Sequence, residues 1–225
     1  MSDVIAERLE AVRAAVARAA ARSRRDPNLV RIVAVSKRQP ASAIVAAYAA
    51  GQRDFGENYV QELVEKAAML PADIRWHFIG HLQSNKVKQI AAFVHLIHGV
   101  DSLKLLQEIN KQATKLGRTI NCLLQIHIAQ EETKFGLDES ELVAIMKEVG
   151  DQKFPHVHVR GLMGMASFSD DEQQVANEFA SLKKLFDAYP TFTILSVGMS
   201  GDYELALAAG STMLRVGSLL FGERG

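Results

Sequence analysis

The chain has 225 residues, 48% of them apolar, and its 26 basic residues balance 26 acidic ones to a formal net charge of zero. That balance excludes the basic field a general nucleic-acid or acidic-membrane binder needs, and the single cysteine, Cys122, excludes an internal disulfide or a cysteine metal cluster. No apolar run approaches the roughly 18 residues of a membrane helix and the start Met1-Ser2-Asp3 lacks the features of a signal peptide, so a reducing cytoplasm is the expected compartment.

Ala11–Arg25 is rich in Ala and Arg, but Asp3, Glu7 and Glu10 before it speak against a transit peptide. An exposed first helix is expected over residues 1–25. Strand-like and helical stretches then alternate. The first strand is expected over Arg31–Lys37. A helix follows over Ala41–Gly51, with Pro40 at its start and Gly51 at its end. Asp54–Asn58 reads as a strand, Tyr59–Leu70 as a helix, and Trp76–Gly80 and Leu96–Asp101 as strands. Asp101 and Ser102 are N-cap candidates for a helix over Ser102–Leu116, which Gly117 closes. Ile120–Ile128, Val157–Ala166, Ile194–Ser200 and Met213–Ser218 complete the strands, separated by helices over Ser140–Val149, Glu172–Tyr189 and Tyr203–Ala209.

No linker or composition break interrupts this pattern, so one domain is expected over 1–225, with the barrel at 31–222. Eight strands alternating with helices imply a parallel sheet closed into a single (β/α)8 TIM-type barrel, an α/β fold with an extra N-terminal helix. An open doubly wound sheet is the competing architecture. Neither GxGxxG nor GxxxxGK[ST] follows the first strand, so the usual nucleotide loops are missing.

In such a barrel the strand C-terminal ends share one face, where chemistry sits. Lys37, Asn58, Ser200 and Arg215 would therefore converge. Lys37 follows apolar Ile32–Val35 and Ser36; it either snorkels to water or, in a partly desolvated, cation-rich site, is a Schiff-base nucleophile. Ser200-Gly201 and Gly217-Ser218 stand where barrels often bind phosphate, with helix N-termini expected to help; the alternative is ordinary turn glycines. Arg215, inside the last strand, needs a partner, either a structural carboxylate or a cofactor ring nitrogen.

The seven histidines show no HExxH spacing, and no metal site is expected. His156 and His158 read as residues on one side of a strand edge, Cys122 as a core filler, and Glu131-Glu132-Thr133-Lys134 as a solvated loop.

Six ordered stretches together resemble the pyridoxal phosphate homeostasis protein family: Val33–Lys37, Phe55–Glu62, Trp76–Lys86, Arg160–Met163, Ser196–Ser200 and Gly210–Gly217. The resemblance spans nearly the whole chain and implies a barrel like the N-terminal domain of alanine racemase, with pyridoxal 5′-phosphate (PLP) as cofactor. It further implies that Lys37 forms the internal aldimine, that Arg215 faces the pyridine nitrogen, that Ser200, Gly217 and Ser218 hold the phosphate and that Asn58 lines the pocket. Gly201 departs from the acidic residue many members carry there. The implied role is PLP homeostasis without catalysis, in a cytoplasmic monomer, with PLP-dependent apoenzymes as candidate partners. Rival readings are a PLP enzyme such as a racemase or decarboxylase, and a barrel for a phosphorylated sugar. Only seven residues follow Ser218, so a racemase-type second domain is not expected; Tyr59 or Tyr203 would have to supply its acid/base. Trp76–Lys86 is the most distinctive stretch, and physics alone assigns it no role.

Overall fold

Stretches rich in Val, Ile, Leu and Phe recur between helices, and the computed structural model, which describes residues 2–131 and 135–222, closes them into one parallel barrel. Its strands are β1 (Arg31–Val35), β2 (Asp54–Glu57), β3 (Arg75–Phe78), β4 (Leu96–Val100), β5 (Ile120–Gln125), β6 (Val157–Met163), β7 (Ile194–Ser196) and β8 (Met213–Val216). Each pairs with the next, and β8 returns to β1 with Val33 opposite Arg215. The open-sheet alternative is thereby overturned.

The helices are α1 (Ser2–Arg22), α2 (Ala41–Ala49), α3 (Val60–Met69), α4 (Val87–Ile90), α5 (Leu103–Lys115), α6 (Glu139–Gly150), α7 (Glu172–Asp187), α8 (Tyr203–Ala208) and α9 (Ser218–Phe221). α1 is not simply exposed as expected. Its Ile5, Leu9, Val12, Val16 and Ala19 recur every three or four residues and are buried, where the helix packs on α2, α8 and α9.

Local rules explain most boundaries. Gly51 and Gly117 end α2 and α5 with φ of 87° and 60°, which a residue without Cβ adopts at no steric cost. Ser102 caps α5 by accepting from the Leu105 N–H; Asp101 instead accepts from His81 Nδ1 at 2.9 Å. Asp138 and Glu141 form a capping box on α6.

Apolar side chains divide between two layers. Most fill the space between barrel and helices, with Phe55, Phe78 and Phe179 fully buried. Val33, Leu96, Leu123, Met163 and Met213 form a separate cluster contributed by five of the strands. Cys122 is fully buried, and burial pushes its thiol up, which fits the core-filler reading. His158 is exposed on β6, while His156, just before that strand, donates from Nδ1 to the Arg118 carbonyl. Glu131 is no plain surface charge, because it accepts the Phe168 N–H at 2.9 Å; 132–134 lie outside the described residues.

Several strands stop earlier than their apolar patterns suggest. β1 ends at Val35, two residues before Lys37, and β7 ends at Ser196. β7 pairs with β8 at Ser196 opposite Met213; beyond it the Gly198 carbonyl still accepts the Arg215 N–H at 2.9 Å, but the backbone turns there with a φ of 95° and runs on as loop. Among the described residues, no helix is long and apolar enough to cross a membrane.

Candidate functional site

Lys37, Asn58, Ser200, Arg215, Gly217 and Ser218, all singled out from sequence, line one cleft of about 510 Å³ at the strand C-terminal face. Small-molecule sites usually span about 300–1,000 Å³. The loops after β1, β2, β7 and β8 carry five of them, and Arg215 rises from β8 itself. A larger hollow of about 700 Å³ at the opposite mouth is lined by Arg13, Arg31, Arg53, Arg75 and Arg160 among others. There Arg13 and Arg53 bond the Ala50 and Tyr48 carbonyls at the end of α2, and Arg75 grips Asp54. Those guanidiniums serve helix ends and a carboxylate.

Arg215 is 4% exposed, and its hydrogen bonds go to two carbonyls and a hydroxyl, with Asp202 a neighbouring charge. Nη1 donates to the Ser196 carbonyl at 2.7 Å and to Ser196 Oγ at 2.8 Å, and Nη2 donates to the Gly164 carbonyl at 2.9 Å. A guanidinium has five N–H donors. The Nε–H and one Nη2–H therefore have no protein acceptor among the described residues, and the cleft is where an acceptor can reach them. Burial pushes the Arg215 pKa down to about 10, partly offset by Asp202, so it is still cationic at neutral pH.

Asn58 presents a second unmet demand. Its Oδ1 is buried and has no hydrogen-bond partner among the described residues. The neighbouring chain is very close: a Cβ on Gly80 would sit 2.4 Å from the Asn58 carbonyl oxygen, so only glycine lets the β3 loop run there.

Ser200 Oγ accepts the Gly217 N–H at 3.3 Å, which ties the loop after β7 to the loop after β8. The hydroxyl keeps its own proton to donate. The helices that begin beside these loops are short, α8 with six residues and α9 with four.

Beneath Lys37 and Asn58 lies a buried cluster the sequence reading missed. Lys66 Nζ donates at 2.7 Å to the Ser36 carbonyl, to Glu57 Oε1 and to Glu62 Oε1. Ser36 Oγ donates to the same Glu57 oxygen at 2.6 Å. The residues immediately before Lys37 and Asn58 are thus clamped to each other. Burial raises the Glu57 pKa, with Lys66 and Ser36 pulling the other way.

His77 is fully buried within β3. Asp54, His77 and His95 bring ligand-type atoms within 4.8 Å of one another, which their spacing in sequence does not reveal. Both Asp54 oxygens, however, accept from Arg75, at 2.8 and 2.6 Å, and Arg31 is 3.8 Å away. Two guanidiniums against one carboxylate disfavour a further cation.

A family model described as alanine racemase, N-terminal domain, matches residues 8–225. The pyridoxal phosphate homeostasis protein of Escherichia coli (strain K12) is 40% identical over 98% of this chain and 97% of its own. The chain belongs to the pyridoxal phosphate homeostasis protein family. The Helicobacter pylori (strain ATCC 700392 / 26695) member is 41% identical over 87% of this chain and 89% of its own. Among solved structures, PipY of Synechococcus elongatus PCC7942 with PLP bound is 38% identical, with a TM-score of 0.84 over 97% of this chain and all of that one. Alanine racemase from Bartonella henselae shares the fold, with a TM-score of 0.73 at 19% identity over 99% of this chain and 59% of its own.

Proposed function

We propose that this protein holds pyridoxal 5′-phosphate in the strand-end cleft, attached at Lys37, and stores or passes on the cofactor without catalysing a reaction with it. The observation that carries the reading is the convergence in one cleft of a lysine, a buried arginine with two unmet donors, and a serine hydroxyl tied to a glycine N–H. The family membership and the PLP-bound PipY support it.

Bound PLP supplies an electrophilic aldehyde carbon, a pyridine nitrogen and a phosphate. Lys37 Nζ is the amine that bonds the aldehyde carbon, with water leaving. Ser200 Oγ, the Gly217 N–H and Ser218 take the phosphate, and Asn58 lines the pocket wall. Arg215 can only donate, so it pairs with a ring nitrogen that stays an unprotonated acceptor.

That pairing weakens the ring as an electron sink, which favours a carrier over an enzyme. The cleft lining favours it too. Besides Lys37 and Arg215, its titratable residues among those described are Asp170 and Asp202, and Asp202 accepts the Met199 N–H. Tyr59 is 49% exposed and outside the lining. Tyr203 bonds Glu204 instead. Neither tyrosine is therefore placed as the second acid/base facing the lysine that two-base racemisation needs. We place the protein in the cytoplasm as a monomer, with PLP-dependent apoenzymes as recipients.

The test is to incubate the PLP-loaded protein with single-enantiomer alanine and other amino acids while following chirality, CO2 and keto acids. Negligible conversion is expected. Turnover on the order of 1–1,000 per second, the usual enzymatic range, would overturn the carrier reading in favour of a PLP enzyme.

A further inference from the structure

Asp54, His77, His98, Ser196 and Arg215 are all buried, on five different strands, and they form one continuous chain through a barrel that apolar side chains usually fill. Arg215 Nη1 is 2.8 Å from Ser196 Oγ, and Ser196 Oγ is 3.1 Å from His98 Nδ1. His98 Nε2 is 2.9 Å from His77 Nδ1, and His77 Nε2 is 2.9 Å from Asp54 Oδ1.

Donor counting gives the chain a direction. The guanidinium only donates, so Ser196 Oγ accepts from Arg215 and, toward a neutral His98 protonated on Nε2, gives its own proton to His98 Nδ1. His98 then donates from Nε2 to His77 Nδ1. His77 likewise donates from Nε2 to Asp54, whose carboxylate only accepts. The chain closes with every link matched and both rings neutral; a second proton on His77 would instead turn His98 to its Nδ1–H tautomer and make Ser196 Oγ accept twice. Burial pushes both rings down, reinforced at His98 by His77 and Arg215 and opposed at His77 by Asp54.

We propose that His98 and His77 are positioning residues for Arg215: anchored on Asp54, they hold Ser196 so that Nη1 is committed inward and the Nε–H and remaining Nη2–H face the cofactor ring nitrogen. This rests on the cofactor reading above. It also gives His77, within the distinctive Trp76–Lys86 stretch, a role.

The experiment has two arms. In the first, nitrogen-15 histidine resonances of the cofactor-free protein are recorded between pH 8 and pH 6. Neutral rings protonated on Nε2 are expected for His77 and His98; an Nδ1–H or doubly protonated ring at either would overturn the proposal. In the second, PLP is titrated into the wild type, His98→Leu and His98→Gln, following affinity and the position of the visible band. His98→Leu should bind about tenfold more weakly with a displaced band, and His98→Gln, which keeps a donor toward His77, should recover much of both. Unchanged affinity and band in His98→Leu would overturn the proposal while leaving the cofactor reading intact. No binding by the wild type would overturn the cofactor reading and the proposal with it. Should His98→Leu not fold, Ser196→Ala cuts the same chain by one oxygen and should give the same loss and displacement; wild-type behaviour would again overturn the proposal.

Discussion

Lys66 Nζ lies 2.7 Å from Glu57 Oε1, with the lysine side chain 7% exposed and the glutamate 0%. Removing one partner of a buried pair strands the other charge, at a cost of about 3–5 kcal/mol. Lys66→Met should therefore lower the urea midpoint sharply with little change in slope. Glu57→Leu combined with Lys66→Met should regain most of that stability, because apolar replacement of the whole pair is often neutral or better. The double variant should still bind PLP less well, since it also removes the clamp behind Lys37 and Asn58.

Ser200→Ala should weaken PLP binding far more than binding of pyridoxal, which lacks the phosphate. A hydrogen bond to a charged group is worth about 1.5–3 kcal/mol, a factor of roughly ten to one hundred and fifty. Competitive titration of both ligands measures it, and equal losses would move the phosphate elsewhere.

Gly80→Ala tests the close approach behind Asn58. The added Cβ would sit 2.4 Å from the Asn58 carbonyl oxygen and 2.9 Å from its Cα, and backbone cannot yield as a flexible side chain can. A loss of about 1–3 kcal/mol is expected from overpacking, together with weaker PLP binding as Asn58 shifts. Thermal unfolding and a cofactor titration check the two effects.

The buried polar chain fixes a pH dependence. His77 and His98 have folded pKa values below their ordinary 6.5, and burial and His77 push His95 to about 4. Each binds a proton more readily in the unfolded chain, so its contribution is complete above about pH 6.5 and is lost as the pH falls below it, by up to about 1.4 kcal/mol per unit and group. Burial alone would raise the Asp54 carboxyl, but Arg75 and His77 outweigh it and hold it well below its ordinary 3.8. Its contribution is retained above that value and lost in stronger acid. Glu57, raised by burial, acts oppositely and favours the folded state on acidification through 4.5 and just above. Urea unfolding between pH 8 and pH 5 should show stability declining from about pH 6.5, and His98→Gln should flatten the decline.

Much of this architecture is legible in the sequence because the barrel repeats one unit. Apolar runs ending in Ser36-Lys37, Asn58 or Gly198–Ser200 mark strand ends, and strand ends mark the functional face. Strand lengths are less legible, since Val197 is as apolar as Leu195 and β7 ends only because the backbone turns at Gly198. α4 went unread because it is a single turn, although Val87, Ile90, Ala91 and Val94 are buried at helical spacing. The polar interior was not readable at all: His98 meets His77 across 21 positions and Ser196 across 98, and no local pattern joins residues that only barrel closure brings together. Lys66 and Glu57 illustrate the same limit, each looking like an ordinary surface charge until β2 and α3 are packed.

The attachment at Lys37 is the central claim, and reduction tests it most directly. The PLP-loaded protein should be yellow. Borohydride should bleach the band and fix the cofactor on the peptide containing Lys37, while Lys37→Ala should lose the band altogether. An unchanged band in Lys37→Ala, or cofactor fixed on a different peptide, would contradict the account.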